Sequence, residues 1–567
     1  MFRKLGSCFD IDFDSFDRVN AFVALGILLT TLVVYITTMA PTLSFWDCGE
    51  FITVATNLGI PHPPGTPVWV IIGRVFSLLP FFSDPAVRIN FLSALTSALC
   101  AMFGYLIAIR LVRPWFDYRR NVFDRVLLYG GSAAGAFFLA FGLTQWSNAV
   151  EAEVYGVALM LMAIIFWLSL VYVENRGTPL ASKVLLLAVF LSLLGVGVHM
   201  TVFLVFPVIA IPFVLKRSAM AQHWFAMAGL FIWELYLIFA LSSRDGEVAF
   251  TVPVLVVATL FLFVALSFDK MSRIFWYTLG GFALSIFPLG GEMANAIAET
   301  LGKPVVFSPE TLSSLSTFSA VCFAGLFCYG GWLLTRWGRL RTLNHAEALA
   351  HLVSALFVVV AALFVGILLV VKGYPAFLLL TVVSLGCLGI FMWRYINIPI
   401  LIGIVGVAMV MIGLKPFVAG LVVSTVILAL LGLSGKFPEW KTGIFVVLVA
   451  AIGWSAHLYL PIRSAQDPVY NQSNPAENMQ AFFDFIERKQ YGQKSMTERM
   501  FGRRAEWTHQ FGTFQRMGFW GFFREQFGIT GVRFVVVFLI GLFAVWEIIR
   551  RNVFDGVPFF VLLLICS

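Results

Sequence analysis

The chain has 567 residues, of which 60% are hydrophobic and only 12% are charged. A typical soluble domain is about 25% charged and about 45–50% apolar, and a soluble protein could not keep so much apolar surface away from water. Long apolar runs with ordinary glycine and proline counts also exclude collagen-like and disordered chains. The composition therefore predicts an all-α, polytopic transmembrane helical bundle.

The net charge of +8 is spread between the apolar runs and forms no single basic patch. We therefore expect no nucleic acid among the partners, and we expect membrane lipids instead. The seven cysteines show neither zinc-ligand nor disulfide-framework spacing. Several of them, such as Cys100, lie inside apolar runs, where a cysteine behaves as a small hydrophobic residue.

Apolar runs of about 20 residues, the length of a membrane span, recur along the chain. They predict about 16 helices, of which the first is a retained helix and not a signal peptide. In chain order these helices are 20–40, 87–112, 126–145, 154–173, 184–199, 201–215, 225–243, 248–268, 274–291, 313–335, 352–371, 375–393, 398–414, 417–434, 442–461 and 533–549. The last apolar run, from Val557 to Ser567, is too short to cross a membrane. It indicates a chain that is truncated within its last helix, in the segment 533–567, or a fragment.

Lysine and arginine cluster in alternate loops, which predicts a cytoplasmic N-terminus over residues 1–19. Two long segments, 41–86 and 462–532, then fall on the outer side. In the second of them, four apolar side chains share one face of a predicted helix, and charged side chains occupy the rest; the four are Met479, Phe482, Phe483 and Ile486. This pattern predicts an amphipathic helix that lies on the membrane surface.

The first outer segment carries the strongest candidates for chemistry. Asp47 and Glu50 are three residues apart, so one helical face can hold both carboxylates. His62 precedes two prolines and a glycine, a rigid turn that fixes the direction of the histidine. Asp47 could alternatively act only as the N-cap of a helix over 48–58. That alternative does not explain why Glu50 and His62 share the loop.

Further polar residues are predicted at the same outer boundary. Glu151 and Glu153 open the predicted fourth helix, where carboxylates also favour the helix dipole without any chemistry. His199 lies at the outer end of the fifth helix and could simply be hydrogen-bonded within the bundle. Tyr459 and Arg463 end the helix before the second outer segment, and the arginine could either snorkel at the interface or grip a phosphate.

A site of this composition predicts chemistry on a lipid at the headgroup level. Carboxylates suit a general base, whereas arginine and histidine suit a phosphate-bearing lipid. The sequence contains no Walker A loop, no dinucleotide-binding glycine motif in a βαβ unit and no HExxH motif. These absences argue against soluble nucleotide substrates.

Five short stretches resemble the protein O-mannosyltransferase-like family of membrane glycosyltransferases. Residues 46–51, WDCGEF, followed by HPPG at 62–65, are similar to its signature D-S-G-E-L/F with H-P-P-G, although Cys48 replaces the usual serine. Residues 149–155, AVEAEVY, and 459–463, YLPIR, also resemble the family, as does RKQYG at 488–492. The resemblance covers most of the chain, from the first helix to the second outer segment.

The resemblance implies a GT-C fold over residues 20–461 and transfer of a sugar, mannose above all, from a polyprenyl phosphate to Ser/Thr hydroxyls of exported proteins. It implies that Asp47 is the catalytic base, with Glu50 as the alternative. The expected donor-binding residues are His62, His199, Tyr459 and Arg463, and the expected acceptor or supporting residues are Glu151, Glu153 and Tyr491. We expect no metal and no cofactor beyond the lipid-linked donor, and an active site that faces the periplasm from a bacterial inner membrane.

Three other interpretations remain open on the sequence alone. The sugar could be transferred to a lipid or a polysaccharide, because the residues do not distinguish these acceptors. A transporter or flippase would use midplane charges and repeats, of which the sequence offers few, Glu234 being one. A structural assembly protein would not need the outer carboxylates.

Overall fold

The computed structural model describes residues 18–216, 396–411, 413–492, 518–528 and 531–551. The six helices predicted between 225 and 393 lie outside the described residues, as do residues 1–17 and the apolar run 557–567. The chain divides into two compact units, the first comprising Met1–Val214, Ile398–Met496 and Arg503–Ser567 and the second Leu215–Asn397 and Thr497–Gly502. All the elements named below belong to the first unit.

The described part of the chain is mostly helical and contains no strand, so the predicted all-α fold is confirmed. Its α-helices are α1 Arg18–Thr38, α2 Cys48–Asn57, α3 Pro67–Ser77, α4 Pro85–Val112, α5 Val122–Ala140, α6 Leu143–Ala149, α7 Tyr155–Glu174, α8 Pro179–Val196, α9 Phe206–Val214, α10 Ile398–Ala408, α11 Leu414–Leu433, α12 Trp440–Trp454, α13 Tyr459–Ser464, α14 Met479–Ile486, α15 Phe519–Phe527 and α16 Gly531–Arg551. The short helices α2, α3 and α14 lie in the two segments that the sequence predicts to be outside.

Within the described ranges, 7 helical segments are long and apolar enough to cross a membrane. They are Arg18–Thr38, Pro85–Trp115, Val122–Ala140, Tyr155–Glu174, Pro179–Val196, Leu414–Leu433 and Trp440–Ser464. Each of them overlaps a helix that the sequence predicts. The chain is therefore an integral membrane protein with a polytopic helical fold.

Capping residues explain where the helix ends differ from the prediction. Helix α4 begins at Pro85 because the carboxylate of Asp84 accepts a hydrogen bond from the Ala86 amide at 2.8 Å. The side chain of Asn121 caps the start of α5 in the same way. The predicted single helix over 126–145 is wrong at its end, since α5 ends at Ala140 and α6 begins after Gly142.

The predicted helix is present as α14, and its position on the membrane surface stays a prediction. In α14 the side chains of Phe482 and Phe485 are buried, whereas Met479 is 69% exposed. A Cβ built on Gly65 would lie 2.7 Å from Cε1 of Phe485. Helix α14 therefore packs this aromatic side chain directly on the turn that follows His62.

Small residues let the spanning helices approach each other closely. Ala94, Ala98 and Ala101 of α4 are buried in one apolar cluster. A Cβ built on Gly156 of α7 would lie 2.9 Å from the Ser97 hydroxyl of α4, which shows how near the two backbones come. Such close approach through small residues is the usual means of packing helices in membranes.

The contact between α12 and α8 provides a test of this packing. A Cβ built on Gly453 would lie 2.6 Å from the carbonyl oxygen of Phe190, and a backbone atom cannot easily move away. We therefore expect Gly453→Ala to lower the free energy of unfolding by about 1–3 kcal/mol, as measured by thermal unfolding in detergent. Gly26→Ala in α1 is the control, because nothing lies within 4 Å of its Cβ. Equal Tm values for the two variants would contradict this close contact between α12 and α8.

Candidate active site

Asp47 stands at the entrance of α2 with its carboxylate exposed. It occupies the N-cap position, with φ −72° and ψ −10°, but its side chain accepts no capping hydrogen bond. A capping aspartate normally has extended backbone angles and bonds to an amide of the first turn. The alternative in which Asp47 serves only as a helix cap therefore has no support in the geometry.

Glu50 and His62 form the central contact of the first outer segment. The Glu50 carboxylate lies 2.6 Å from Nδ1 of His62 and also accepts the His62 amide at 2.8 Å. The hydroxyl of Tyr470 donates to the same carboxylate at 3.1 Å. Burial raises the pKa of Glu50, but the hydrogen bonds from His62 and Tyr470 outweigh it and hold that pKa below its usual range. The bond to Glu50 raises the pKa of His62 above its usual value.

The turn after His62 fixes the direction of the imidazole ring, as the sequence predicts. The Gly65 amide donates to the His62 carbonyl at 2.9 Å, and the Pro63–Pro64 peptide is cis. Gly65 has φ +87°, a conformation that glycine adopts without strain. The ring centre of Phe51, in the first turn of α2, lies 5.7 Å from the ring centre of His62, so the two rings pack against each other.

Glu151 and Glu153 lie in the turn before α7 and face different surroundings. Glu151 accepts a hydrogen bond from the Ser44 hydroxyl at 2.7 Å. The carbonyl of Glu153 accepts from the buried Trp69 indole at 3.2 Å, and its carboxylate lies 3.9 Å from Sγ of Cys48. Burial, together with the nearby charge of Asp47, raises the pKa of Glu153 to about 7. The Glu153 carboxyl therefore exchanges its proton near neutral pH.

His199 joins the site as a neutral side chain. Its Nδ1 lies 2.8 Å from the Thr201 hydroxyl, and its ring lies 5.2 Å from the ring of Tyr155. Burial, aided by the positive charge of Arg488, lowers the pKa of His199 to about 4. A neutral imidazole can still donate or accept one hydrogen bond, so donor binding by His199 stays a prediction.

Arg463 and Tyr459 contact carbonyl groups at the end of α2. The Arg463 guanidinium donates to the Leu58 carbonyl at 2.8 Å, to the Asn57 carbonyl at 3.3 Å and to the Gln466 amide oxygen at 2.8 Å. The last carbonyls of a helix lack partners within the helix, and they attract a cation. Arg463 therefore holds the end of α2, and its predicted contact with the donor phosphate stays a prediction.

Arg488 lies near this site, and the sequence predictions singled out neither this arginine nor Tyr470. Its guanidinium lies 4.8 Å from the ring centre of Tyr491, and Nη1 lies 3.4 Å from Sδ of Met200, the neighbour of His199. Glu50 raises the pKa of His62, and the positive charge of Arg488 partly opposes that rise. The only signal in the sequence was its position in the RKQYG stretch that follows the amphipathic helix.

Asp47, Glu50 and His62 could together hold a metal ion. One ligand atom each from Asp47, Glu50 and His62 lies within 4.8 Å of the other two. Nδ1 of His62 and the Glu50 carboxylate already bind each other, so a metal would compete with that pair. The expected absence of a metal requirement remains a prediction.

Comparison with known proteins identifies the segment that carries most of this geometry. The family model described as "Protein O-mannosyl-transferase TMEM260 N-terminal domain" matches residues 47–222. The predicted resemblance to the protein O-mannosyltransferase-like family is confirmed. The matched segment includes Asp47, Glu50, His62, Glu153 and His199, whereas the contributions from residues after 222 lie beyond it.

Two relatives show how far the similarity extends. The protein O-mannosyl-transferase tmem260 of Dictyostelium discoideum is 26% identical over 152 residues, which are 26% of this chain and 17% of that protein. The protein O-mannosyl-transferase TMEM260 of Mus musculus is 26% identical over 167 residues, which are 30% of this chain and 22% of that protein. The similarity thus spans about a fifth of each relative's own length. No solved structure matches the chain.

The pKa of Glu153 gives a pH-dependent test. Its folded pKa of about 7 lies above the ordinary value of 4.5, so the wild-type protein loses stability as the pH rises between those values. Glu153→Gln keeps the shape of the side chain and does not titrate. At pH 8 we expect the variant to have a higher Tm than wild type, because its free energy of unfolding should be larger by up to about 3 kcal/mol. At pH 4.5 this advantage should disappear; a difference in Tm that is the same at both pH values would refute the assignment.

The contacts of Arg463 give a second test. Arg463→Ala removes three hydrogen bonds, two of them to the end of α2, and we expect it to lower the free energy of unfolding by about 1–3 kcal/mol. Gln466→Ala removes only one of the three and should have a smaller effect. An unchanged Tm in Arg463→Ala, combined with weaker donor binding, would instead favour a direct contact with phosphate.

Proposed function

We propose that this protein is a membrane glycosyltransferase that moves a sugar, mannose in the first instance, from a polyprenyl-phosphate donor to Ser/Thr hydroxyls of exported proteins. The observation that carries the proposal is the Asp47 carboxylate, which is exposed, makes no capping hydrogen bond and lies beside the Glu50–His62 pair. The two relatives, both named protein O-mannosyl-transferases, support the reaction class. We extend the proposal to a GT-C architecture and to an outward-facing site in a bacterial inner membrane.

Asp47 acts as the general base in this proposal. The hydroxyl oxygen of the acceptor attacks the anomeric carbon, the bond from that carbon to the phosphate oxygen breaks, and polyprenyl phosphate leaves. The acceptor proton passes to the Asp47 carboxylate and from there to solvent. Asp47 suits this role because its carboxylate is exposed, whereas the Glu50 carboxylate is engaged by His62 and Tyr470.

The remaining residues have supporting roles. The Glu50–His62 pair fixes the loop that carries Asp47, and the raised pKa of His62 favours the imidazolium form beside a departing phosphate. Glu153 in its protonated form can donate a hydrogen bond to a sugar or acceptor hydroxyl, and Glu151 and Tyr491 remain proposed acceptor contacts. Tyr459 donates to the Gly59 carbonyl at 3.3 Å, so it helps to position the residues that follow α2.

The decisive variant is Asp47→Asn. Loss of a general base typically costs about 10²–10⁴-fold in rate, and the fold should be unaffected because the side chain makes no capping bond. The assay combines purified protein, polyprenyl-phosphate mannose and Ser/Thr peptides, and mass spectrometry detects the product. Lipid and polysaccharide acceptors are tested in parallel, because they represent the alternative acceptor classes.

Glu50→Gln is the matched comparison. It weakens the contact with His62, so we expect it to lower both Tm and activity, whereas Asp47→Asn lowers activity alone. Near-normal turnover of Asp47→Asn at the wild-type expression level would refute its role as the base. Absence of transfer by the wild-type protein to all three acceptor classes would refute the glycosyltransferase.

A further inference from the structure

The connection between α1 and α2, residues 39–47, crosses the ends of three helices that are long and apolar enough to span the membrane. It leaves the end of α1, and the Ala40 amide donates to the Val150 carbonyl, shortly before α7, at 2.9 Å. The side-chain amide of Asn90, in the second turn of α4, donates to the Ala40 and Thr42 carbonyls, each at 3.0 Å. Because α1, α4 and α7 all begin or end here, the connection lies at the level where spanning helices leave the membrane.

Two further hydrogen bonds fix the path of this connection. The Thr42 hydroxyl donates to the carboxylate of Asp84, the N-cap of α4, at 2.8 Å. The Ser44 hydroxyl donates to the Glu151 carboxylate, in the turn before α7, at 2.7 Å. The connection is therefore held at several points up to Ser44, and the residues that follow extend from a fixed position.

The two residues after Ser44 are large, aromatic and almost fully exposed. Phe45 is 87% exposed and Trp46 is 94% exposed. An aromatic side chain buries about 150–250 Å² when it finds an apolar partner, so two exposed rings side by side indicate a surface that contacts something apolar. The backbone of Trp46 has φ +61°, in the left-handed region that is costly for a residue with a side chain. Such strain is typical of positions that serve a function.

A second pair of aromatic side chains lies in the adjoining connection, between α3 and α4. Phe81 and Phe82 come just before Asp84, the residue that binds Thr42. Their ring centres are 5.5 Å apart, and both side chains are exposed. Arg88 donates to the Phe82 carbonyl at 2.8 Å, which fixes this turn. The Thr42–Asp84 bond thus joins two aromatic tips, and we call their four residues the aromatic rim: Phe45, Trp46, Phe81 and Phe82.

The surroundings of the aromatic rim identify lipid as its partner. Helix α1 exposes apolar side chains such as Phe22, Leu29 and Val33, and a spanning helix presents such side chains to lipid. At the end of the same helix, the Trp146 indole donates to the Thr38 hydroxyl at 3.0 Å. A tryptophan with an apolar body and one polar bond at a helix end is typical of the membrane–water interface. The rim lies at this same level, so it extends the lipid-contacting surface into the headgroup region.

We propose that the aromatic rim inserts into the headgroup region of the bilayer and so fixes the height of the first outer segment above the acyl chains. The partner is the lipid surface itself, and the contact is made by aromatic rings, which favour this region. Asp47 directly follows Trp46, so the inserted rings keep its carboxylate at the level of the lipid headgroups. The inference goes beyond the proposed function, because a membrane contact requires no sugar transfer.

The experiment places a photo-reactive side chain at the rim of the full chain, reconstituted in phosphatidylcholine nanodiscs. Trp46→p-benzoylphenylalanine keeps an aromatic ring at an exposed position, so the fold should tolerate it. After irradiation, mass spectrometry should find covalent lipid adducts close to the lipid glycerol. Phe22→p-benzoylphenylalanine, on the exposed face of α1, is the reference and should label the acyl chains. Glu477→p-benzoylphenylalanine, at an exposed charged residue of the second outer segment, is the control and should lose nearly all lipid adduct.

Each other outcome overturns the inference. Absence of lipid adducts at Trp46, or labelling no stronger than at Glu477, would mean that the ring faces water. A cross-link to another residue of the chain would mean that protein covers the ring, and a cross-link to an added Ser/Thr peptide in place of lipid would indicate an acceptor site. Phe45→p-benzoylphenylalanine repeats the test at the neighbouring ring, so a folding defect of one variant does not decide the result.

A kinetic comparison separates the aromatic rim from the proposed function. If the protein transfers sugar, Trp46→Ser should raise the KM for a long-chain donor embedded in vesicles, and Trp46→Tyr should retain most of the wild-type value. The KM for a short-chain, water-soluble donor should be the same in both variants. An equal rise for both donors would point to a contact with substrate and overturn the membrane role. If the protein transfers no sugar, the lipid adducts still test the rim, and only the proposed function fails.

Discussion

The ion pair between Glu50 and His62 is the contact on which the arrangement of the outer loop depends. It joins the first turn of α2 to the turn at 62–65 through both a side-chain and a backbone hydrogen bond. The pair is only partly exposed, at 21% for His62 and 15% for Glu50, so neither group could be left there alone without a large desolvation cost. With α2 and the turn fixed to each other, Asp47 is carried to a defined position at the surface.

The carboxyl groups near this pair are divided by their surroundings. Glu50 is ionised and fully engaged, Glu153 is buried enough to hold a proton near pH 7, and Asp47 is exposed. Neighbouring acids whose environments move their pKa values apart are a common basis for acid–base chemistry. The two arginines also have different surroundings. Arg463 stabilises the end of a helix, whereas Arg488 contacts Met200, the neighbour of His199.

The predictions from sequence succeeded where the relevant information is local. Asp47, Glu50 and His62 lie within 16 residues of one another, and the proline turn between helices brings them together. The length of the apolar runs also located the helices that span the membrane. The helix ends were less accurate because short polar caps such as Asp84 and Asn121 decide them. The two roles of Arg463 could not be distinguished, because its partners at Leu58 and Asn57 are more than 400 residues away. Arg488 was missed since a charge after an amphipathic helix is typical of a solvated surface.

The backbone contacts between the two outer segments also determine when the site can form during synthesis. Ile60 exchanges hydrogen bonds with Tyr470 and Gln472, forming a parallel bridge beside Asn471. A ribosome adds about 5–20 residues per second. The partners of Ile60 are therefore synthesised roughly 20–80 s after the first outer segment. During that interval the cluster of carboxyl groups lacks both Tyr470 and the anchor at the end of α2. The local contact between Glu50 and His62 can form at once, whereas the contacts from the second outer segment can form only after most of the chain has been synthesised.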